Sequence, residues 1–257
     1  MRPLDLLLLT MAFLPFSMFA QEGNNSSYFL KERLYLQNNS RAEAIVERWE
    51  ILGADTARPV FFPAVRPYSG RMAGRNFPTA QKEMPNKDYL QKELFLVPSE
   101  KPLLKHFYRY QSHLFALQTD HLSFGINPVV HVQVGKETAQ DDILYTNTRG
   151  VEIEGVVDDR VGFYSYIGEN QGNFPLFVDE WTAAHNQAFP GEGRAKTFSS
   201  TVIPFDKLGY DFLTARGYIS FDATRHIRIQ FGQDQNFIGN GYRSLFLSDF
   251  AKDYLFL

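Results

Sequence analysis

The sequence predicts a mainly β protein: antiparallel strands of an incomplete outer-membrane β-barrel, preceded by a short helical and extended segment on the periplasmic side. Three observations carry that prediction. From His121 onward apolar and polar residues alternate with period two over stretches of strand length. The connections between these stretches sort by length, short on one side and long on the other. Aromatic residues reach 15%, as 24 Phe and 13 Tyr against 2 Trp, an enrichment suited to strands and to the aromatic girdles of membrane barrels.

Composition narrows the function classes. A net charge of -3 gives no basic footprint for nucleic acid, so no nucleic-acid partner is expected. The absence of cysteine excludes disulfides, thiolate catalysis and Cys-ligated zinc. Residues 1–20 read as a secretory signal peptide, with Arg2 as a thin positive region, an apolar run from Leu6 to Phe19, and Ala20 before a cleavage point at Gln21. After residue 20 no window holds the 18 or so apolar residues of a spanning helix. An exported chain without such a helix is soluble or a β-barrel.

Residues 21–118 form the expected lead. Ala42, Ile45, Val46 and Trp49 share a face at helical spacing, so Arg41 to Leu52 is predicted helical, with Gly53 as its stop. Five prolines between Pro59 and Pro85 make that segment extended and irregular. Asp88 to Leu96 and Leu103 to Leu117 are expected as short helices separated by Pro98 and Pro102.

Residues 119–257 are expected to supply about six barrel strands. In the first, Leu122, Phe124, Ile126, Val130, Val132 and Val134 alternate with His121, Ser123, Asn127, His131 and Gln133. It exceeds the roughly 9–11 residues that cross a bilayer at a tilt. Arg149 to Val157 and Arg160 to Asn170 follow, joined by a tight turn at Asp158-Asp159. A long segment from Gln171 to Tyr210 precedes strands near Phe212 to Asp222 and Arg225 to Gln233. In the latter, His226, Arg228 and Gln230 face opposite to Ile227, Ile229 and Phe231. A last strand starts near Phe250. If the first strand runs outward, every tight turn falls inside and every long connection outside. Six strands are too few to close a barrel, whose small end is about eight. The chain is therefore expected to be the N-terminal part, or a fragment, of a longer one.

Three blocks carry a resemblance: Tyr145-Thr-Asn-Thr-Arg-Gly150, Tyr164-Ser-Tyr-Ile-Gly-Glu-Asn-Gln171, and the glycine-punctuated run from Phe231 to Asp249. Together they resemble outer-membrane proteins of Bacteroidota of the capsule-assembly Wzi family and the RemB-type gliding-motility proteins, over residues 85 to 257. The resemblance implies a periplasmic helical portion and a large antiparallel barrel in outer-membrane lipid. It also implies a non-catalytic role in surface-polysaccharide attachment or assembly, or in gliding, with other envelope or motility proteins as partners and no cofactor; the alternatives are an outer-membrane pore or transport component and a secreted soluble lectin or glycosidase. The prolines from Pro59 to Pro85 depart from the family pattern.

The candidate ligand-binding positions lie in the last block. Asp234, Asn236, Asn240, Arg243 and Asp249 offer hydrogen bonds to a polysaccharide, and Phe237 or Tyr242 offers a face for stacking on a sugar. Glu169 and Asn170 stand where a strand meets the outer loop. The architectural alternative is a loop satisfied by its own contacts, with Arg243 paired to Asp234 or Asp249 and the glycines permitting tight turns. Glu152 and Glu154 share a strand face about 7 Å apart, near inverting-glycosidase spacing. The bland reading makes them interior charges opposite a basic strand, with Arg228 as the partner. His121 and His131, about 33 Å apart along one strand, cannot share a metal. His106 and His113, at i and i+7 of a helix, cannot either.

Overall fold

The computed structural model describes residues 34–36, 40–53, 65–71, 73, 86–103, 106–138, 143–199, 208–224, 227–239, 241, 243–246 and 252–257. The expected signal peptide lies outside the described residues, as do His226, Asn240, Tyr242 and Asp249.

The lead packs two helices. Helix α1, Arg41–Gly53, forms where the sequence predicts it. Ser40 caps it: the Glu43 N–H donates to Ser40 Oγ at 3.1 Å, satisfying one of the orphan donors of the first turn. Ala42, Ile45, Val46 and Trp49 face Leu90 and Leu94 of helix α2, Lys87–Leu94. Leu36 and Tyr68 close the same core. The Arg41 guanidinium lies 4.4 Å above the Tyr89 ring, sealing the edge of the helix pair. Within the Pro59–Pro85 stretch, strand β1 (Val65–Arg66) is extended.

The helix expected over Leu103 to Leu117 does not form. The described residues there make isolated bridges, Pro98↔Tyr110 and Leu103↔Phe107, and Tyr108 takes a left-handed φ of 52° that no helix tolerates. Its end, Phe115–Gln118, is strand β2, because pairing with the next strand satisfies its backbone groups better than one more helical turn could.

Eight strands make one antiparallel sheet: β2, β3 (Leu122–Lys136), β4 (Ile143–Val157), β5 (Val161–Asn173), β8 (Lys196–Ser199), β9 (Leu208–Asp222), β10 (Arg228–Asp234) and β12 (Tyr254–Phe256). The order is β12-β10-β9-β5-β4-β3-β2, with β8 beside the start of β9. The sheet is open among the described residues: β2 and β12 are its edges. Beyond the six strands read from sequence, β2 and β8 are new; each is four residues, too short to display an alternation. The expected connection from Gly135 to Asn147 is mostly strand, since Lys136 pairs with Ile143. Two small pairs stand apart: β1 with β11 (Phe237–Ile238), and β6 (Ala188–Phe189) with β7 (Gly193–Arg194). Helix α3, Leu176–Ala184, lies in the long connection between β5 and β9.

The turns sort as predicted. Residues 119–121 and 158–160 join strands at one end of the sheet, where β9 also ends and β10 begins. The strand ends that lead into the longer connections, Lys136, Asn173 and Asp234, all lie at the other. Asp158 and Asp159 have φ of 49° and 50°, the left-handed pair of a two-residue hairpin loop.

Register decides what each face presents, since paired residues point the same way. Pro128↔Val151, Val151↔Ile167, Ile167↔Ala215 and Phe163↔Ile219↔Phe231 belong to one apolar face. That face is uncovered: Val130, Val132 and Val134 are 72, 67 and 69% exposed, and Phe231 and Leu255 55 and 71%. The opposite, polar face is the buried one. Thr148, Glu154, Asn170, Thr214 and Ser220 are buried there beside Tyr164 and Tyr218. Among the described residues no helix is long and apolar enough to cross a membrane, which says nothing of strands.

Candidate functional site

The lead covers the polar face through specific contacts. The Tyr35 N–H donates to Tyr218 Oη at 2.9 Å, and the two rings meet edge-on at 5.8 Å. Tyr164 stacks on Tyr218 at 5.4 Å. Arg71 pairs with Asp222 at 2.9 Å, while Arg228 holds Asp222 at 2.6 Å and donates to Ser69 Oγ at 2.8 Å. Further along, His113 Nε2 meets Glu154 Oε1 at 2.9 Å, with both side chains almost fully buried. Ser112 Oγ lies 2.7 Å from His113 Nδ1. Gly125 makes room for this ring: a Cβ there would stand 2.0 Å from His113 Cδ2.

Between lead and sheet lies a cavity of about 260 Å3, lined by Tyr35, Leu36 and Pro67 from the lead and by Tyr164, Tyr166, Asn170, Thr214, Arg216, Tyr218 and Asp234 from the sheet. Gln235 and Glu192 complete it. Arg216 is the cation of this wall. Its Nε donates to Asp253 Oδ2 at 3.1 Å and stands 4.0 Å from Asp234 Oδ1. A polar chain runs up the sheet from there. Thr148 donates to Asn170 Oδ1 at 2.8 Å, Asn170 Nδ2 to Thr214 Oγ1 at 3.0 Å, and Thr214 to Glu192 Oε2 at 3.0 Å. Burial pushes the Glu192 carboxyl above its ordinary range, against the opposing pull of the Thr214 hydrogen bond and Arg216.

The candidate positions from sequence divide. Asp234 and Asn170 line the cavity. Glu169 does not: it lies on the opposite face, exposed, where its carboxylate accepts from Arg149 at 3.2 Å. Asn236 and Phe237 serve the architecture. The Asn236 N–H donates to Tyr254 Oη at 2.9 Å, and Phe237 pairs with Arg66 across β1–β11 while the Arg66 guanidinium lies 5.1 Å over its ring. Gly239, at φ 109°, turns the chain so that the Leu245 N–H donates to the Ile238 carbonyl at 2.7 Å. Arg243 is exposed and lines no part of the cavity. Asn240, Tyr242 and Asp249 lie outside the described residues.

Two sequence pairings are corrected. Glu154 is held by His113, not by Arg228, whose partner is Asp222. Arg228 sits at the far end of its strand, beside the turn, and the lead reaches Glu154 first. His106 and His113 do not share a helix, since their segment folds as turns. Sequence reasoning missed Arg216, Tyr164, Tyr166, Tyr218 and Glu192 as cavity residues. Alternation along β9 placed Thr214, Arg216 and Tyr218 on the wet face together, which was the available signal. The contribution of Tyr35 had none, because its contact spans 183 positions.

Compared with family models, with curated proteins and with solved structures, the chain matches none.

Proposed function

We propose that this chain is a wall of an outer-membrane β-barrel, with the lead packed against its inner face, and that it acts without catalysis in the attachment or assembly of surface polysaccharide. One observation carries the reading: polarity is inverted relative to a water-soluble sheet. The aliphatic face is bare and the charged face is buried under the lead. In water, uncovered apolar area on this scale is unfavourable by about 25 cal/mol per Å2. In hydrocarbon it is the favourable side, and the polar face looks inward. The sorting of short and long connections supports the same orientation, with the long connections toward the cell exterior. The resemblance of the three blocks supplies the polysaccharide role, with gliding as the activity of the sister branch.

Fractionation tests the membrane half of the proposal. The chain in its native host should sediment with the outer membrane and leave it only with detergent; release by salt or alkaline wash would overturn it. Deletion tests the functional half. Loss of cell-bound polysaccharide, with the polymer shed into the medium, is expected. Unchanged retention together with lost surface motility would shift the role to gliding.

A further inference from the structure

We propose that the cavity between the lead and the sheet is a binding site for one sugar unit that carries no carboxylate, held inside the wall rather than at the glycine-rich loop. This deepens the polysaccharide reading and rests on it for its biological setting, but its evidence is the cavity itself.

The lining has the two ingredients a pyranose ring needs. Tyr166, half-buried, supplies flat aromatic surface for the ring's C–H face, backed by Tyr35, Tyr164 and Tyr218, which pack on one another. Gly168 lets one of them lie down: a Cβ there would stand 2.5 Å from Tyr166 Oη, so the Tyr166 side chain occupies the space a larger residue would take. Asp234 and Glu192 accept from hydroxyl groups and Arg216 donates to them, while Asn170, whose amide is spent on Gly168, Phe212 and Thr214, only shapes the wall. The volume, about 260 Å3, is just below the roughly 300–1,000 Å3 of ordinary ligand pockets, so it takes one ring unit and not an oligomer.

Charge selects among sugars. The Arg216 guanidinium is already matched by Asp253 at 3.1 Å, and Asp234 stands 4.0 Å away. A hexuronate entering here meets Asp234 and Glu192 while Arg216 is already engaged by Asp253. A neutral ring exchanges only hydrogen bonds, and an ammonium group is not repelled. Because Tyr35 and Pro67 form one side of the site, an occupied cavity also strengthens the hold of the lead on the sheet.

The test uses the full chain in detergent micelles and saturation-transfer NMR with methyl glycosides of glucose, galactose and mannose, beside the corresponding uronates. At least one neutral glycoside is expected to bind, with its uronate weaker by about tenfold or more. Tyr166→Ala should abolish that binding while the chain keeps its folded, heat-modifiable gel mobility. Glu192→Gln, between β6 and β7 and able to keep accepting from Thr214, should narrow the discrimination against the uronate. Binding of no neutral glycoside, preferential binding of a uronate, or undiminished binding by folded Tyr166→Ala would each overturn the proposal. A chain that binds a neutral glycoside yet needs no detergent would leave this site standing and remove the membrane reading. A detergent-dependent chain that binds none would do the reverse.

Discussion

His113 fastens the lead to the sheet at a buried point, where its ring nitrogen meets Glu154 at 2.9 Å. His113→Ala leaves a buried carboxylate without its nitrogen partner and opens a void over Gly125. The loss should be about 3–5 kcal/mol, read as a lower midpoint in denaturation of the micelle-bound chain. Glu192 behaves oppositely because its environment disfavours charge. Its folded pKa lies above the ordinary 4.5, so the folded state keeps a proton that the unfolded chain releases. The sign follows: its contribution is present in full below the ordinary value and is lost as pH rises through the raised one. The wild-type midpoint should therefore fall relative to Glu192→Gln as pH climbs from about 4.5 toward neutrality. Parallel pH profiles for the two would contradict the assigned burial.

At the scale of elements, the two-residue loop at Asp158-Asp159 places two non-glycine residues at positive φ. Asn-Gly adopts that loop with less strain, so Asp158→Asn with Asp159→Gly should raise the midpoint, by about 1 kcal/mol at most. The gain is limited by loss of the 2.7 Å contact between Asp158 and His121. Elements with a strong repeating signal were legible in the sequence. Helix α1 showed its apolar stripe, and β3, β4, β5, β9 and β10 showed their alternation. The segment from Leu103 to Leu117 was misread because its apolar residues fit a helical spacing, while the pairing of Phe115 with Ile126 that decides it comes from another strand. Strand β8 was invisible for its length. The site was half legible for a related reason. Asp234 and Asn170 were found as polar residues near a strand end, whereas Glu169 was assigned with its neighbour although one step along a strand reverses the face. Arg216 and the tyrosines become a site only when the lead closes over them.

For the whole molecule, the distribution of polarity outweighs any single contact. A sheet with Val130, Val132, Val134, Ile219, Phe231 and Leu255 bare, and with Glu154, Asn170 and Ser220 buried, is matched to a solvent of hydrocarbon on one side. The most direct test places a fluorescent label at Val132 and, separately, at Gln133, in vesicles containing the inserted chain. Both positions are exposed and adjacent, they point to opposite faces, and the chain has no cysteine of its own, so each label has a unique address. The account predicts that brominated lipid quenches the label at Val132 and iodide in the water quenches the one at Gln133. Equal quenching of both by iodide, with none from the lipid, would contradict it.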